Sequence, residues 1–82
     1  MKARVLIVED ERAIQIALTG LMRREGYEVD VAGSGEEAAE KLRDGAFDLV
    51  LTDLALGRGL SGMDVLRTAK KQRSETVVVM IT

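Results

Sequence analysis

The sequence predicts an α/β fold built on a parallel sheet, and three observations carry that expectation. Phe47-Asp48-Leu49-Val50-Leu51-Thr52-Asp53 is a short apolar run ending in a carboxylate, and Leu49, Val50 and Leu51 in succession suit a strand covered on both faces. Val5-Leu6-Ile7-Val8 also ends in acid, at Glu9-Asp10-Glu11, and Val77 to Ile81 ends in a hydroxyl at Thr82. Between these runs stand segments of helical periodicity, so the chain alternates β-α-β-α-β-α-β with no repeat, linker or internal boundary. Open α/β sheets bind ligands at the carboxyl edge of their strands. The chain is therefore expected to gather Glu9, Asp10, Asp53 and Thr82 in one cleft.

After the first strand, Ile14, Ala17, Leu18, Leu21 and Met22 recur at helical spacing between Glu11 and Arg24, with Arg12, Gln15, Arg23 and Arg24 expected mostly on the solvent side. The Arg23-Arg24 pair suits the negative end of that helix, and Gly26 is placed to end it in the left-handed conformation. Tyr27, Val29 and Val31 alternate with Glu28 and Asp30, the pattern of an edge strand with one wetter face. A glycine-rich turn such as Gly33-Ser34-Gly35 before a helix can cradle phosphate, but Ser34 with Glu37 three residues on reads better as a capping box. Ala38, Ala39 and Leu42 give the second helix a narrow face of small residues, closed by Asp44-Gly45, and the third strand runs from Phe47 to Thr52. The loop from Asp53 to Gly62 contains Gly57 and Gly59 and is expected to be mobile, while Ser61 with Asp64 caps the next helix. That helix, Met63 to Gln72, should turn Val65, Leu66 and Ala69 inward. Arg67, Lys70 and Lys71 read as a solvated last turn rather than a binding patch. A fourth strand runs from Thr76 into Thr82.

Composition narrows the function. With 82 residues the chain is one small domain, and its apolar 46% includes only Tyr27 and Phe47 as aromatics, so it offers no stacking platform for nucleic acid. A net charge of -2 also argues against direct contact with nucleic acid, because neutralising phosphates takes a basic excess. Without Cys or His there is no disulfide, no thiolate, no usual zinc site and no phosphohistidine on this chain. Carboxylates and hydroxyls must carry any chemistry. No signal peptide is read at the start and no apolar run approaches the ~20 residues that span a bilayer, so a cytoplasmic domain with no membrane contact is expected.

Val5 to Glu11, Asp48 to Leu54 and Val77 to Thr82, at these separations, together resemble the receiver domain of two-component response regulators. The Leu51-Thr52-Asp53-Leu54 and Val79-Met80-Ile81-Thr82 wording is most similar to the nitrogen-regulatory type, usually followed by an ATPase and a DNA-binding domain. The resemblance implies a flavodoxin-like doubly wound parallel sheet of strand order 2-1-3-4, and a signalling domain rather than an enzyme. It makes Asp53 the acceptor of a phosphoryl group from a histidine kinase. Asp10 and Asp53 would ligate Mg²⁺ directly, Glu9 would hold it through water, the Ala55 backbone carbonyl would be a further ligand, and Thr82 would be the switch hydroxyl. The residues give this a physical reason: two carboxylates ~5 Å apart repel by ~3 kcal/mol at an effective dielectric near 20, and a hard divalent cation with oxygen ligands offsets that better than a shared proton in a cluster open to water. Taken singly the acids also read as caps or turn residues, the better reading for Glu11, and Thr82 as a β-branched strand former.

Two departures from the pattern stand out. Gly57-Arg58-Gly59 replaces the family's usual Met-Pro turn, with about one extra residue before Gly62. The chain also stops at the fourth strand, so residues 1–82 read as a truncated receiver without the fourth helix, the lysine-bearing fifth strand and the fifth helix; Lys2, Lys41, Lys70 and Lys71 are misplaced to substitute for that lysine. Impaired phosphorylation is expected, together with self-association through an uncovered sheet face or the edge of the fourth strand. An alternative is a signalling-incompetent fragment serving as a self-association module. A flavodoxin-like nucleotide binder fits poorly, because no Gly-x-Gly-x-x-Gly follows the first strand and Glu9-Asp10-Glu11 would repel a pyrophosphate.

Overall fold

The computed structural model describes residues 2–57 and 59–81. Four parallel strands, β1 (Arg4–Val8), β2 (Glu28–Ala32), β3 (Leu49–Asp53) and β4 (Val77–Ile81), lie in the order β2-β1-β3-β4 and alternate with α1 (Arg12–Arg24), α2 (Gly35–Asp44) and α3 (Gly62–Gln72). The expected architecture and strand order hold. Strand bounds differ from the sequence reading by a residue or two: β3 starts at Leu49 rather than Phe47 because the ladder with β1 begins at Val5 opposite Leu49. Phe47 lies just before the strand, buried in the core, with the Arg4 guanidinium 4.6 Å above its ring. No helix is long and apolar enough to cross a membrane among the described residues.

Pleating sends alternate side chains to opposite faces, and the two faces of this sheet differ. On one, Leu6, Val8, Val50 and Val78 pack with Ala38 and Leu42 of α2, Val65 and Ala69 of α3, Phe47 and Leu56 into the main core. On the other, Val5 and Ile7 are fully buried beneath α1, but in the same rows Leu49 and Leu51 are only half-buried, and Val77 and Val79 are 55% and 41% exposed. The uncovered sheet face expected beside α1 is found, with Val77 and Val79 of β4 open to water.

α1 corrects one expectation. It buries no residue completely: Leu18 and Met22 are half-buried, as are Gln15 and Thr19, whereas Ile14, Ala17 and Leu21 are exposed. The apolar arc of α1 is wider than the strip of β1 and β2 it covers, so one flank of the arc faces water. Gly26 does end the helix in the left-handed region, at φ 94°.

The caps also form, with one change. Ser34 Oγ accepts the Glu37 amide at 3.1 Å, but the Glu37 carboxylate reaches back to the Gly33 amide, at 3.0 Å, instead of to Ser34. At α3 the box is complete: Ser61 Oγ accepts from the Asp64 amide at 3.3 Å and the Asp64 carboxylate accepts from the Ser61 amide at 2.8 Å. Those bonds, first from the Ser61 amide and then from its hydroxyl, hold the Asp64 carboxyl below its ordinary value. A depressed acid stabilises the fold above its unfolded value, near pH 4, and the contribution fades as pH falls through the folded value. In urea melts of wild type against Asp64→Ala, the gap in midpoints is therefore expected to stay constant from pH 7 down to about 5 and to shrink below 4. A gap that widens in acid would contradict the cap's ionic character.

Candidate functional site

The carboxyl ends of β1 and β3 lie side by side because Val8 pairs with Thr52 in parallel register, which brings the residues just beyond, Glu9 and Asp53, next to each other. The Glu9 amide extends the β1–β2 ladder by donating to the Ala32 carbonyl at 3.0 Å. Its side chain is only 3% exposed, and the carboxylate turns back to accept the Asp10 amide at 3.0 Å. Asp10 is exposed and Asp53 half-buried. Carboxylate oxygens of Glu9, Asp10 and Asp53 all lie within 4.8 Å of one another.

No ion pair among the described residues involves any of the three. The imbalance shows at Glu9, whose carboxyl is pushed above its ordinary value first by burial, then by its hydrogen bonding with Asp10 and by the nearby Asp53 charge. Crowded hard oxygen donors without a cationic side chain fit a divalent metal. A spread of up to 4.8 Å also compares with ~4.2 Å between opposite ligands of one octahedral Mg²⁺, so a small cation with some water among its ligands suits the cluster.

Other atoms set the geometry of these acids. Thr52, fully buried, donates its hydroxyl to the Asp53 carbonyl at 3.0 Å, and the Ala55 amide donates to Asp53 Oδ1 at 3.3 Å. Gln15, expected on the solvent side of α1, instead sends its side-chain amide to the Glu9 carbonyl at 2.5 Å and ties the helix to the end of β1. Gly62 donates to the Leu54 carbonyl at 3.0 Å and packs so closely that a Cβ there would overlap the Asp53 carbonyl. Neither Gln15 nor Gly62 stood out in the sequence: the one is a polar residue in the first turn of a helix, the other a glycine in a glycine-rich loop. Of the residues expected at the cleft, Glu9, Asp10 and Asp53 come together, Ala55 contacts Asp53 through its amide, and Thr82 lies outside the described residues.

An open cleft of about 580 Å³ is lined by Arg12, Ile16, Thr19 and Arg23 of α1 and by Val31 of β2, and none of the three carboxylates lines it.

Comparison with known proteins fits this geometry. Residues 5–82 match the family profile described as the response regulator receiver domain. The transcriptional regulatory protein DltR of Streptococcus agalactiae serotype III (strain NEM316) is 38% identical over 79 residues, 96% of this chain and 35% of that protein. The chain thus spans about a third of that curated relative's length. Among solved structures, a CheY-like receiver domain protein from Methanospirillum hungatei JF-1 superposes with a TM-score of 0.91 at 32% identity, covering 98% of this chain and 63% of that one. NtrX from Brucella abortus gives 0.89 at 37% identity over all of this chain and 18% of that one.

Proposed function

We propose that this chain, which belongs to the response regulator receiver family, takes a phosphoryl group onto Asp53 from the phosphohistidine of a sensor kinase in the cytoplasm. The observation that carries the reading is the cluster of Glu9, Asp10 and Asp53 carboxylates at adjacent strand ends. Asp10 and Asp53 would hold Mg²⁺ directly, with Glu9 through water and the Ala55 carbonyl as a further ligand. When bound, Mg²⁺ supplies positive charge that lets a carboxylate approach a phosphoryl group and offsets charge on its oxygens.

The residues of the chain do the rest. An Asp53 oxygen forms the new bond to phosphorus while the bond from phosphorus to the donor imidazole breaks, its electron pair leaving with the imidazole nitrogen. The Thr52 hydroxyl and the Ala55 amide hold the Asp53 backbone and side chain at the strand end. Thr82 is assigned as the switch hydroxyl that turns toward the phosphoryl group. Within residues 1–82 no lysine accompanies Asp53, so uptake by this length of chain alone should be slower than in a receiver with one; a charge-assisted contact is typically worth ~1.5 to 3 kcal/mol.

The test uses a small-molecule donor. With acetyl phosphate and Mg²⁺ the wild-type chain is expected to gain the mass of one phosphoryl group, and Asp53→Asn to gain none. Uptake by Asp53→Asn equal to that of the wild type would remove Asp53 as the acceptor. A second reading, favoured by the exposure of Val77 and Val79, is that this length of chain pairs with a second copy through the open sheet face or the β4 edge.

A further inference from the structure

The loop between β3 and α3, expected to be mobile, is tied to its surroundings at Leu56, Gly59 and Leu60. Leu56 is 4% exposed and belongs to the main core. Near the other end of the loop, the Leu60 amide donates to Glu36 Oε2 in the first turn of α2, at 3.1 Å, across 24 positions of sequence. Gly59, at φ 89°, lies against the same Glu36 carboxylate, where a Cβ would overlap it. Leu60 in turn rests on Gly35 so closely that a Cβ on Gly35 would lie 2.6 Å from the Leu60 carbonyl oxygen and 2.6 Å from its Cβ. α2 and the loop thus meet in a seam of two glycines and one carboxylate. On its other side the same loop reaches the acids: the Ala55 amide bonds Asp53, and the space a Cβ on Gly57 would fill lies 3.6 Å from Asp10 Oδ2.

We infer that Glu36 is a positioning residue for the carboxylate site: by accepting the Leu60 amide it fixes the loop that sets Ala55 against Asp53 and Gly57 against Asp10. The inference rests on the reading of that site as a Mg²⁺ site. It assigns Glu36 no contact with metal or phosphoryl group. Gly57 and Gly59, both at positive φ, leave this loop little intrinsic stiffness, so an external fastening has something to do. Glu36 is exposed, and its loss leaves the core intact.

The experiment compares wild type, Glu36→Ala and Glu36→Gln. Mg²⁺ is titrated against the amide shifts of Ala55 and Gly57, amide hydrogen exchange is read at Leu60, and urea midpoints report the global fold. Glu36→Ala is expected to weaken Mg²⁺ binding and to speed Leu60 exchange, each by about two- to tenfold, the range of one hydrogen bond, with the urea midpoint little changed. Glu36→Gln keeps an oxygen acceptor without the charge and should restore both. Glutamine as weak as alanine would mean that Glu36 acts through its charge, and the positioning role would be wrong. A wild-type response that Glu36→Ala leaves untouched would sink this inference alone, whereas no Mg²⁺ response in the wild type would sink the metal reading and this inference with it.

Discussion

Leu6→Ala is expected to remove about 2 to 5 kcal/mol of stability, enough to leave much of the chain unfolded. Leu6 is fully buried at the centre of the main core, on the strand that pairs with both neighbours. Its truncation would leave a cavity in the core cluster it shares with Val50, Leu42 and Val65, which belong to packed strands and helices with limited freedom to collapse into it. The total available is small: at ~0.05 to 0.15 kcal/mol per residue, 82 residues supply about 4 to 12 kcal/mol. Ile16→Ala is the control, because Ile16 is 62% exposed and its loss should stay within about 0.5 kcal/mol. Urea melts of both variants settle the matter, and equal midpoints would show that the core is not where the buried residues place it.

The second large effect is on assembly. Val77 and Val79 lie on an edge strand and are 55% and 41% exposed, with Leu49, Leu51 and Ile81 half-buried in the same rows. An apolar edge with free backbone donors and acceptors is a template for another strand. Covering ~800 Å² of apolar surface on pairing would gain ~20 kcal/mol gross, of which association and side-chain ordering take a large part. The 82-residue chain is therefore expected to sediment as a dimer or larger at micromolar concentration. The Val77→Lys, Val79→Lys double variant should sediment as a folded monomer, since charge on an edge strand opposes pairing without touching the core. A wild-type chain that sediments as a monomer and melts cooperatively would overturn the proposal.

The strands were legible because short apolar runs ending in polar residues, at Glu9, Asp53 and Thr82, and the alternation of Tyr27 to Val31 have few other uses. Glu9, Asp10 and Asp53 were legible for the same reason: each stands at or next to the end of such a run. Local caps were legible too, since Ser61 and Asp64 are three residues apart, although Glu37 chose the Gly33 amide over Ser34 because the turn places that amide in reach. What escaped was set by partners distant in sequence. The inward face of α1 depends on which strands lie beneath it, so Gln15 and Thr19 displaced Ile14 and Leu21 from the half-buried side. Likewise nothing local to Glu36 announces Leu60, so the bond between the loop and α2 was not visible in the sequence.

The place of β1 between β2 and β3 also bears on how the chain comes off the ribosome. β2 follows β1 within a short stretch of synthesis, but the first β3 partner of Val5 is Leu49, and at ~5 to 20 residues per second it emerges roughly two to nine seconds later. During that interval β1 has one free edge and no opposing carboxylate. The acid cluster is thus a product of long-range closure, formed only when β3 docks.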